Sequence, residues 1–363
     1  MRTKILHILA VLSISFNLYA QHETTPVSAE HTVKEQTEGK NIRDEIKEGI
    51  QHHLKDSHEF IFLSNSETGK HYGFSLPVIL WDNGLKMFMA SKFHHGEEVV
   101  QSGDSYYKLY HGKIYKTNAE GTLEFDEHHH PTNEKPLDFS ITKNVLSIFL
   151  LAIFMLWLFT KIAKSYTKND GIPKGVAGFL EPIILYIRDE IAIPNIGEKH
   201  YKKYMNYLLT VFFFVWFFNL LGLTPLGINV TGNITITFAL AIITFLITQF
   251  SGNKNYWTHI FWMPGVPWPM KIILAPIELL GVFIKPFALM IRLYANIFAG
   301  HTVLMSLIGL MFIFNNWLGS GLSFFLSFAI SLIELLVALL QAYIFTMLSA
   351  LYFGFAVEEH DDH

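Results

Sequence analysis

Long apolar stretches, broken by short polar segments, dominate the chain after residue 140. The stretch Tyr204–Asn253 has no charged residue. At 1.5 Å per helical residue it is far too long for one crossing of a bilayer about 30 Å thick, so two helices and a tight turn are predicted. Two later stretches, about residues 271–314 and 317–357, are also too long to stand upright. Each must tilt steeply, bend or project beyond the bilayer.

Three shorter segments complete the predicted membrane region. Asn144–Thr160 is a run of 17 uncharged residues flanked by lysines, which predicts a minimal spanning helix. Phe179–Ile193 mixes apolar with charged residues and is predicted to lie along the interface. Trp257–Pro269, rich in tryptophan and proline, predicts an interfacial re-entrant turn. The pattern predicts an all-α polytopic membrane protein with five transmembrane helices and an interfacial helix, the last two spans being long and tilted.

The start of the chain has the pattern of a secretory signal peptide. Residues 1–20 contain two basic residues, then an apolar run from Ile5 to Phe16, then Ala20 before polar sequence. A single anchoring span is the alternative, but the run is shorter than the roughly 20 residues that a crossing needs. Cleavage near Ala20 is therefore expected.

Residues 21–140 form a polar region that holds 12 of the 18 histidines. Strand-like runs between Phe60 and Phe125 are separated by turn signals such as Asp82-Asn83-Gly84 and His111-Gly112. These signals predict a small region with β-hairpins.

Charge asymmetry orients the predicted spans. Lysines follow the first span and recur in the next polar loop, which places both in the cytoplasm. The predicted signal peptide gives the same orientation, because a signal peptide exports the segment after it. Residues 21–140 are therefore expected outside the cytoplasm, ahead of a five-span domain at 141–363 whose tail, Glu358–His363, is cytoplasmic.

Composition agrees with a membrane protein and excludes several other classes. The chain is 51% hydrophobic and 16% charged, against about a quarter charged in soluble domains. A net charge of −4 provides no basic surface for nucleic acid. The absence of cysteine excludes disulfides, thiolate metal sites and thiol nucleophiles.

Arg292 is the most informative residue, because it lies near the middle of a long apolar stretch. An intramembrane arginine costs about 2.5 kcal/mol or more, so it needs a structural or functional partner. One interpretation is an ion pair with a carboxylate of another helix that fixes packing. The other is a functional charge facing a second chain.

Further polar residues fall into stripes at helical spacing. On a helical wheel Glu278, Lys285 and Arg292 share one face with Asn296, whereas His301 lies about 180° from Arg292. In the last helix Glu334 and Gln341 form a second stripe with Ser327 and Ser331. Titratable groups linked by hydroxyls and amides are what a proton path requires. A buried hydrogen-bonded pair, His301 with Glu334, is the alternative.

The segment Lys285–His301, KPFALMIRLYANIFAGH, resembles the signature of F-type ATP synthase subunit a, in which Arg-Leu-x-x-Asn-x-x-Ala-Gly stands in the long tilted helix facing the rotor. Leu340–Phe345 and the terminal Glu358-Glu359-His360 are similar to the end of that family's last helix. The resemblance covers about residues 140–363 and does not extend to residues 21–140.

This resemblance implies a function and a set of residue roles. Arg292 would face the carboxylates of the c ring and separate two offset half-channels. Asn296, His301, Glu334 and Gln341 would line the inlet from outside, and Glu278 the cytoplasmic outlet. Several bacterial relatives carry an acid at the position of His301 and a histidine at that of Glu334, and the exchange suggests that the two side chains lie close together.

The resemblance also implies partners and a location. The partners would be the c ring, the b subunits of the peripheral stalk, the remainder of the complex, protons and the lipid bilayer. The chain would be a multi-pass protein of a bacterial inner membrane that needs no cofactor and catalyses no ATP chemistry itself.

Two rival functions remain open from the residues. An intramembrane metal-dependent enzyme could use His301, Glu334 and His259, although no His-Glu-x-x-His helix is present. A membrane-anchored sensor or interaction protein could use residues 21–140. The histidines of that region could bind a transition metal, but a solvated, proton-buffering surface is the simpler interpretation. The clustered histidines of this region are His52-His53, His94-His95 and His128-His129-His130.

Overall fold

The computed structural model of this chain describes residues 56–65, 70–127, 130–168, 172–224, 228–263, 266–313 and 317–358. These residues all belong to one compact unit, Ile50–His363. Several sequence predictions lie outside the described residues. They concern the signal peptide, His52-His53, His128-His129 and the tail from Glu359.

Short antiparallel strands precede the first long helix, as the hairpin prediction requires. They form three small sheets. The first pairs β1 (Glu59–Asn65) with β2 (Lys70–Ser75). In the second, β3 (Pro77–Trp81) lies between β4 (Leu85–Met89) and β8 (Leu137–Asp138). In the third, β6 (Ser105–Tyr110) lies between β5 (Val99–Ser102) and β7 (Lys113–Thr117).

Two predicted turns connect these strands. Asn83 and Gly84, between β3 and β4, have φ values of 50° and 131°. His111 and Gly112, between β6 and β7, have φ values of 48° and 76°. The β6–β7 loop has two residues, and positive φ at both gives a turn whose twist matches that of a hairpin, whereas the β3–β4 loop has three residues, Asp82 to Gly84. Both turn predictions are confirmed.

A polar cluster ties the first of these turns to the third sheet. The carboxylate of Asp82 accepts a hydrogen bond from the Tyr107 hydroxyl at 2.9 Å and lies 2.9 Å from the Lys116 ammonium. The hydrogen bond from Lys116, followed by that from Tyr107, holds the pKa of Asp82 below its ordinary value. The cluster borders a small apolar core whose members include Val78, Leu80, Phe88, Phe93 and Ile114.

A hydrogen-bonded seam joins this β region to helix α1 (Lys143–Lys168). The Lys143 and Asn144 amides donate to Ser57 O at 2.8 Å and Asp56 Oδ1 at 3.1 Å. These bonds satisfy N–H groups that the first turn of a helix otherwise leaves free. Phe60 of β1 is buried in the same apolar cluster as the membrane helices. The β region is therefore packed onto the helical part.

Helices make up most of the chain beyond α1. They are α2 (Val176–Tyr186), α3 (Ile193–Ile196), α4 (Tyr201–Gly222), α5 (Ile234–Ser251), α6 (Lys254–Phe261), α7 (Trp268–Ile313) and α8 (Trp317–Val357). Within the described residues, α1, α4, α5, α7 and α8 are long and apolar enough to cross a membrane. The prediction of five spans is confirmed.

The two segments that were predicted not to span are indeed short. A wide helical turn, Ile187–Ala192, joins α2 to α3, and this segment buries Ile187 and Ile191 while the Arg188–Asp189 ion pair stays exposed. The tryptophan-rich segment begins within α6, which has only eight residues. Its first part is thus a short helix, and the chain then turns into α7.

The last two helices have the predicted length. With 46 and 41 residues, α7 and α8 extend about 69 and 62 Å at 1.5 Å per residue, twice the thickness of the hydrocarbon layer. Pro276 and Pro286 lie within α7 without ending it. Helix α8 packs against both α4 and α7, so it connects the Arg292 helix to the centre of the bundle.

Candidate functional site

Arg292 lies on an exposed and largely apolar surface of α7. Phe287 and Ile291 beside it are both more than half exposed. Within the described ranges, no hydrogen bond or ion pair joins the guanidinium to another residue, although the Tyr352 phenol of α8 is within electrostatic reach. Since a lone cation in an apolar surface is costly, this arrangement leaves the arginine available to an anionic group on another molecule.

The residues on the predicted Arg292 face differ in exposure along the helix. Asn296, one turn further on, is exposed like Arg292, whereas Glu278 and Lys285 are partly buried. The Lys285 ammonium lies over the rings of Tyr352 and Phe355, at 5.8 and 5.5 Å from their centroids. Lys285 therefore interacts with α8, and Arg292 is the cation that this face presents outward.

His301 lies on the opposite side of α7 and is buried, as the helical wheel predicts. It packs against Gly222 at the end of α4, where an added methyl group would fall 2.8 Å from the imidazole Nε2. A side chain larger than hydrogen at position 222 would therefore occupy the place of the imidazole.

Glu334 of α8 is also buried and lies against Gly300, the residue before this histidine. A methyl group added at Gly300, the residue before His301, would fall 2.8 Å from Glu334 Oε1. The structure thus places Glu334 against the same turn of α7 that carries His301. Within the described residues, Glu334 Oε2 has no hydrogen-bond partner. A carboxylate oxygen in that situation is available to water or a proton.

A buried amide lies against α8 between the positions of Glu334 and Gln341. Asn219 of α4 donates from Nδ2 to the Ala338 carbonyl of α8 at 3.1 Å and accepts from the Thr231 hydroxyl at 2.8 Å. Gln341 is buried three residues beyond Ala338. Asn219 and Thr231 are not among the functional residues that the sequence pattern predicts. The signal in the sequence that could have found this site is Asn219 itself, a polar residue within a predicted span that has no charged residue.

Glu278 belongs to a separate polar region at the other end of α7. It lines a cavity of about 380 Å³ together with His259, Lys285 and Glu358. Glu278 and His301 are 23 residues apart, which is about 35 Å along the helix. Arg292 lies between them, about 21 Å from the first and 14 Å from the second.

The distance between these two polar regions argues against the alternative function of an intramembrane metal-dependent enzyme. His259 lines the cavity with Glu278, whereas His301 lies with Glu334 at the far end of the helix. Across the described residues, no group of three or more histidine, aspartate or glutamate side chains is placed to hold a metal ion. The three residues proposed as ligands are therefore not brought together.

Comparison with known proteins points to one family. A family model described as ATP synthase A chain matches residues 145–354, and one described as a domain of unknown function matches residues 49–139. The "ATP synthase subunit a 2" of Chlorobaculum tepidum is 45% identical over 248 residues, which cover 66% of this chain and 70% of the relative. The "ATP synthase subunit a" of Anaeromyxobacter sp. (strain Fw109-5) is 39% identical over 266 residues, which cover 70% and 62% of the two chains. The "ATP synthase subunit a" of Myxococcus xanthus is 44% identical over 238 residues, which cover 62% of this chain and 77% of the relative.

Proposed function

This chain belongs to the ATP synthase A chain family, and from that premise we propose that Arg292 and the polar regions on either side of it form the proton path of a rotary ATP synthase. The family supplies the multi-pass, proton-translocating membrane component of the synthase, which works with the c ring. It is a transport component and not the catalytic subunit.

Arg292 acts on the carboxylates of the c ring as they pass. In lipid such a carboxylate stays protonated, because an isolated charge is poorly solvated there. Opposite the guanidinium, the ionised form is stabilised and the proton is released. The fixed positive charge also repels protons, so it prevents direct passage between the two polar regions.

The inlet is formed by Asn296, His301, Glu334 and Gln341. The proximity of Glu334 to Gly300 and the burial of His301 support a shared path for these two titratable groups. Asn219 and Thr231 extend the same polar region, since their amide and hydroxyl can hold water in a hydrogen-bonded chain. Protons would reach the rotor from this side.

The outlet is formed by Glu278 and its cavity. Its location about 21 Å along α7 from Arg292 supports a second path that opens at the opposite end of the helix. The offset obliges each rotor carboxylate to travel around the ring between the two paths. Rotation is thereby coupled to proton flow.

The assembly and its orientation are part of the same proposal. The exposed α7 surface faces the c ring, and the b subunits of the peripheral stalk hold the chain against it. Residues 21–140 lie outside the cytoplasm of a bacterial inner membrane, and the C-terminus lies inside. The excess of lysines after α1 supports this orientation.

One observation carries the proposal: Arg292 is exposed, surrounded by apolar side chains, and located between two separate polar regions. We expect Arg292→Ala to abolish ATP synthesis driven by a proton gradient imposed on inverted membrane vesicles. We expect Arg292→Lys to fail as well, because lysine lacks the planar fork and deprotonates more readily in an apolar site.

The matched control is Arg188→Ala, which removes an exposed arginine from a segment that does not span the membrane. This variant should keep normal synthesis. Assembly of every variant is checked by immunoblot against another subunit. Near-normal synthesis in assembled Arg292→Ala would contradict the proposed role of this arginine.

A further inference from the structure

One face of the sheet β4–β3–β8 is apolar from edge to edge. Side chains alternate between the two faces of a strand, and residues directly opposite each other share a face. Val78, Leu80 and Phe88 are buried in the β core, so their neighbours point away from it. These neighbours, called the apolar sheet face, are between 44% and 65% exposed: Trp81, Leu85, Met87, Met89, Leu137 and Phe139.

No charged side chain interrupts this face. The other strand positions that share it, Pro77 and Ile79, are apolar as well. By contrast, exposed strand positions in the third sheet include Gln101 and Lys113. A contiguous apolar surface of this kind marks an interaction site in most proteins.

The position of the apolar sheet face indicates what covers it. Phe139 is four residues before Lys143, the start of spanning helix α1, and an extended chain of that length reaches no more than about 14 Å. The exposed side chains near the start of α1 include Phe149, Leu150 and Ile153, which face lipid. The apolar sheet face is therefore only a short length of chain away from the exposed apolar side chains of a helix that is long enough to span a membrane.

Two further contacts keep the β region close to the membrane. Phe60 is buried in the cluster of the membrane helices, and the Lys143 amide is hydrogen-bonded to Ser57. A domain held in this way cannot swing far from the bilayer. Tryptophan is the residue most enriched where protein meets the lipid headgroups, and Trp81 lies on this face.

We propose that the apolar sheet face rests on the bilayer surface, with its side chains among the headgroups and upper acyl chains. The β region would thereby be fixed at the membrane beside the helices of the proton path. This proposal goes beyond the proton path and concerns residues that the ATP synthase A chain model does not match. It requires only that α1 spans the membrane, whichever side the β region occupies.

The test uses the natural absence of cysteine, which gives a background without native thiols. Single-cysteine variants Met87→Cys and Leu137→Cys are spin-labelled in the full-length chain and placed in nanodiscs of phosphatidylcholine and phosphatidylglycerol. The control is Gln101→Cys, an exposed strand position of the third sheet. Collision rates are measured with molecular oxygen, which partitions into lipid, and with a water-soluble nickel chelate.

We expect labels at 87 and 137 to collide severalfold less with the nickel chelate than the label at 101 does, and severalfold more with oxygen. Equal collision rates at all three positions would overturn the proposal, because the face would then be open to water. Labels at 87 and 137 shielded from both reagents would also overturn it, since a protein surface would then cover the face. Failure of the Arg292 variants to lose ATP synthesis would leave this result unaffected.

Discussion

Arg292 costs free energy that its own chain does not recover. A charged side chain in the middle of a membrane helix costs about 2.5 to 3.5 kcal/mol on insertion scales. Lys285 offsets part of its own cost by lying over two aromatic rings, whereas the Arg292 guanidinium is exposed among apolar neighbours. His301 and Glu334 are buried, so their positions depend on the packing of α7 against α8.

This packing leads to a prediction about His301 and Glu334. His301→Ala and Glu334→Ala should each reduce ATP-driven proton pumping severalfold in inverted vesicles, measured with a pH-sensitive fluorescent dye. Because we propose that the two groups share one path, the double variant should lose less than the sum of the single losses, expressed as free energies. Ser306→Ala removes a hydroxyl that bonds only within α7 and serves as the control. Full additivity, or normal pumping in both single variants, would contradict a shared path.

At the scale of helices and strands, the sequence predicts most of the elements that are determined by contact with lipid or water. Long stretches with few or no charged residues predict the five spans, since burying a charge in a bilayer is costly. The turns at Asn83-Gly84 and His111-Gly112 follow from local backbone preferences. The bond between Asn219 and the Ala338 carbonyl was not predictable, because it joins residues 119 positions apart and depends on how α4 meets α8.

The polar cluster of the β region allows a prediction of stability and its pH dependence. Asp82→Asn should lower the stability of this region by about 1 kcal/mol, because the charged hydrogen bond from Lys116 is lost. Since folding lowers the pKa of Asp82, its contribution is present above the ordinary value of 3.8 and is lost as the pH falls through the lower folded value. The difference between variant and parent should therefore shrink in acid.

Pulse proteolysis in urea, applied to the full-length chain at several pH values, measures this difference. Asp104→Asn is the control, because Asp104 is an exposed loop carboxylate with no hydrogen-bond or ion-pair partner within the described residues. An Asp82→Asn variant as stable as the control at neutral pH would show that the cluster contributes nothing.

At the scale of the whole molecule, one chain contains two regions that match different family models. Different family models match residues 49–139 and 145–354, and they meet near the seam where Ser57 bonds to Lys143. The sequence predicts this division, because its polar and apolar halves are segregated. The sequence does not predict the seam, because its hydrogen bond joins Asp56 and Asn144, which are 88 residues apart in the chain.

The orientation of these regions is testable with reporters. An odd number of spans places the β region and the C-terminus on opposite sides of the membrane. Alkaline phosphatase fused near residue 130 should be active, because it folds only outside the cytoplasm, and the same enzyme fused after His363 should be inactive. A fusion after Lys174, between α1 and α2, should also be inactive. Activity at both 130 and 363 would contradict the five-span topology.

The length of chain between His301 and Glu278 has a consequence for cells that make this protein. Glu278 and His301 are about 35 Å apart along α7, with Arg292 between them. From the two separate paths that we propose, we expect the chain without its rotor to conduct few protons when it is reconstituted into vesicles. A cell that inserts it into an energised membrane before the rotor arrives would then keep its membrane potential.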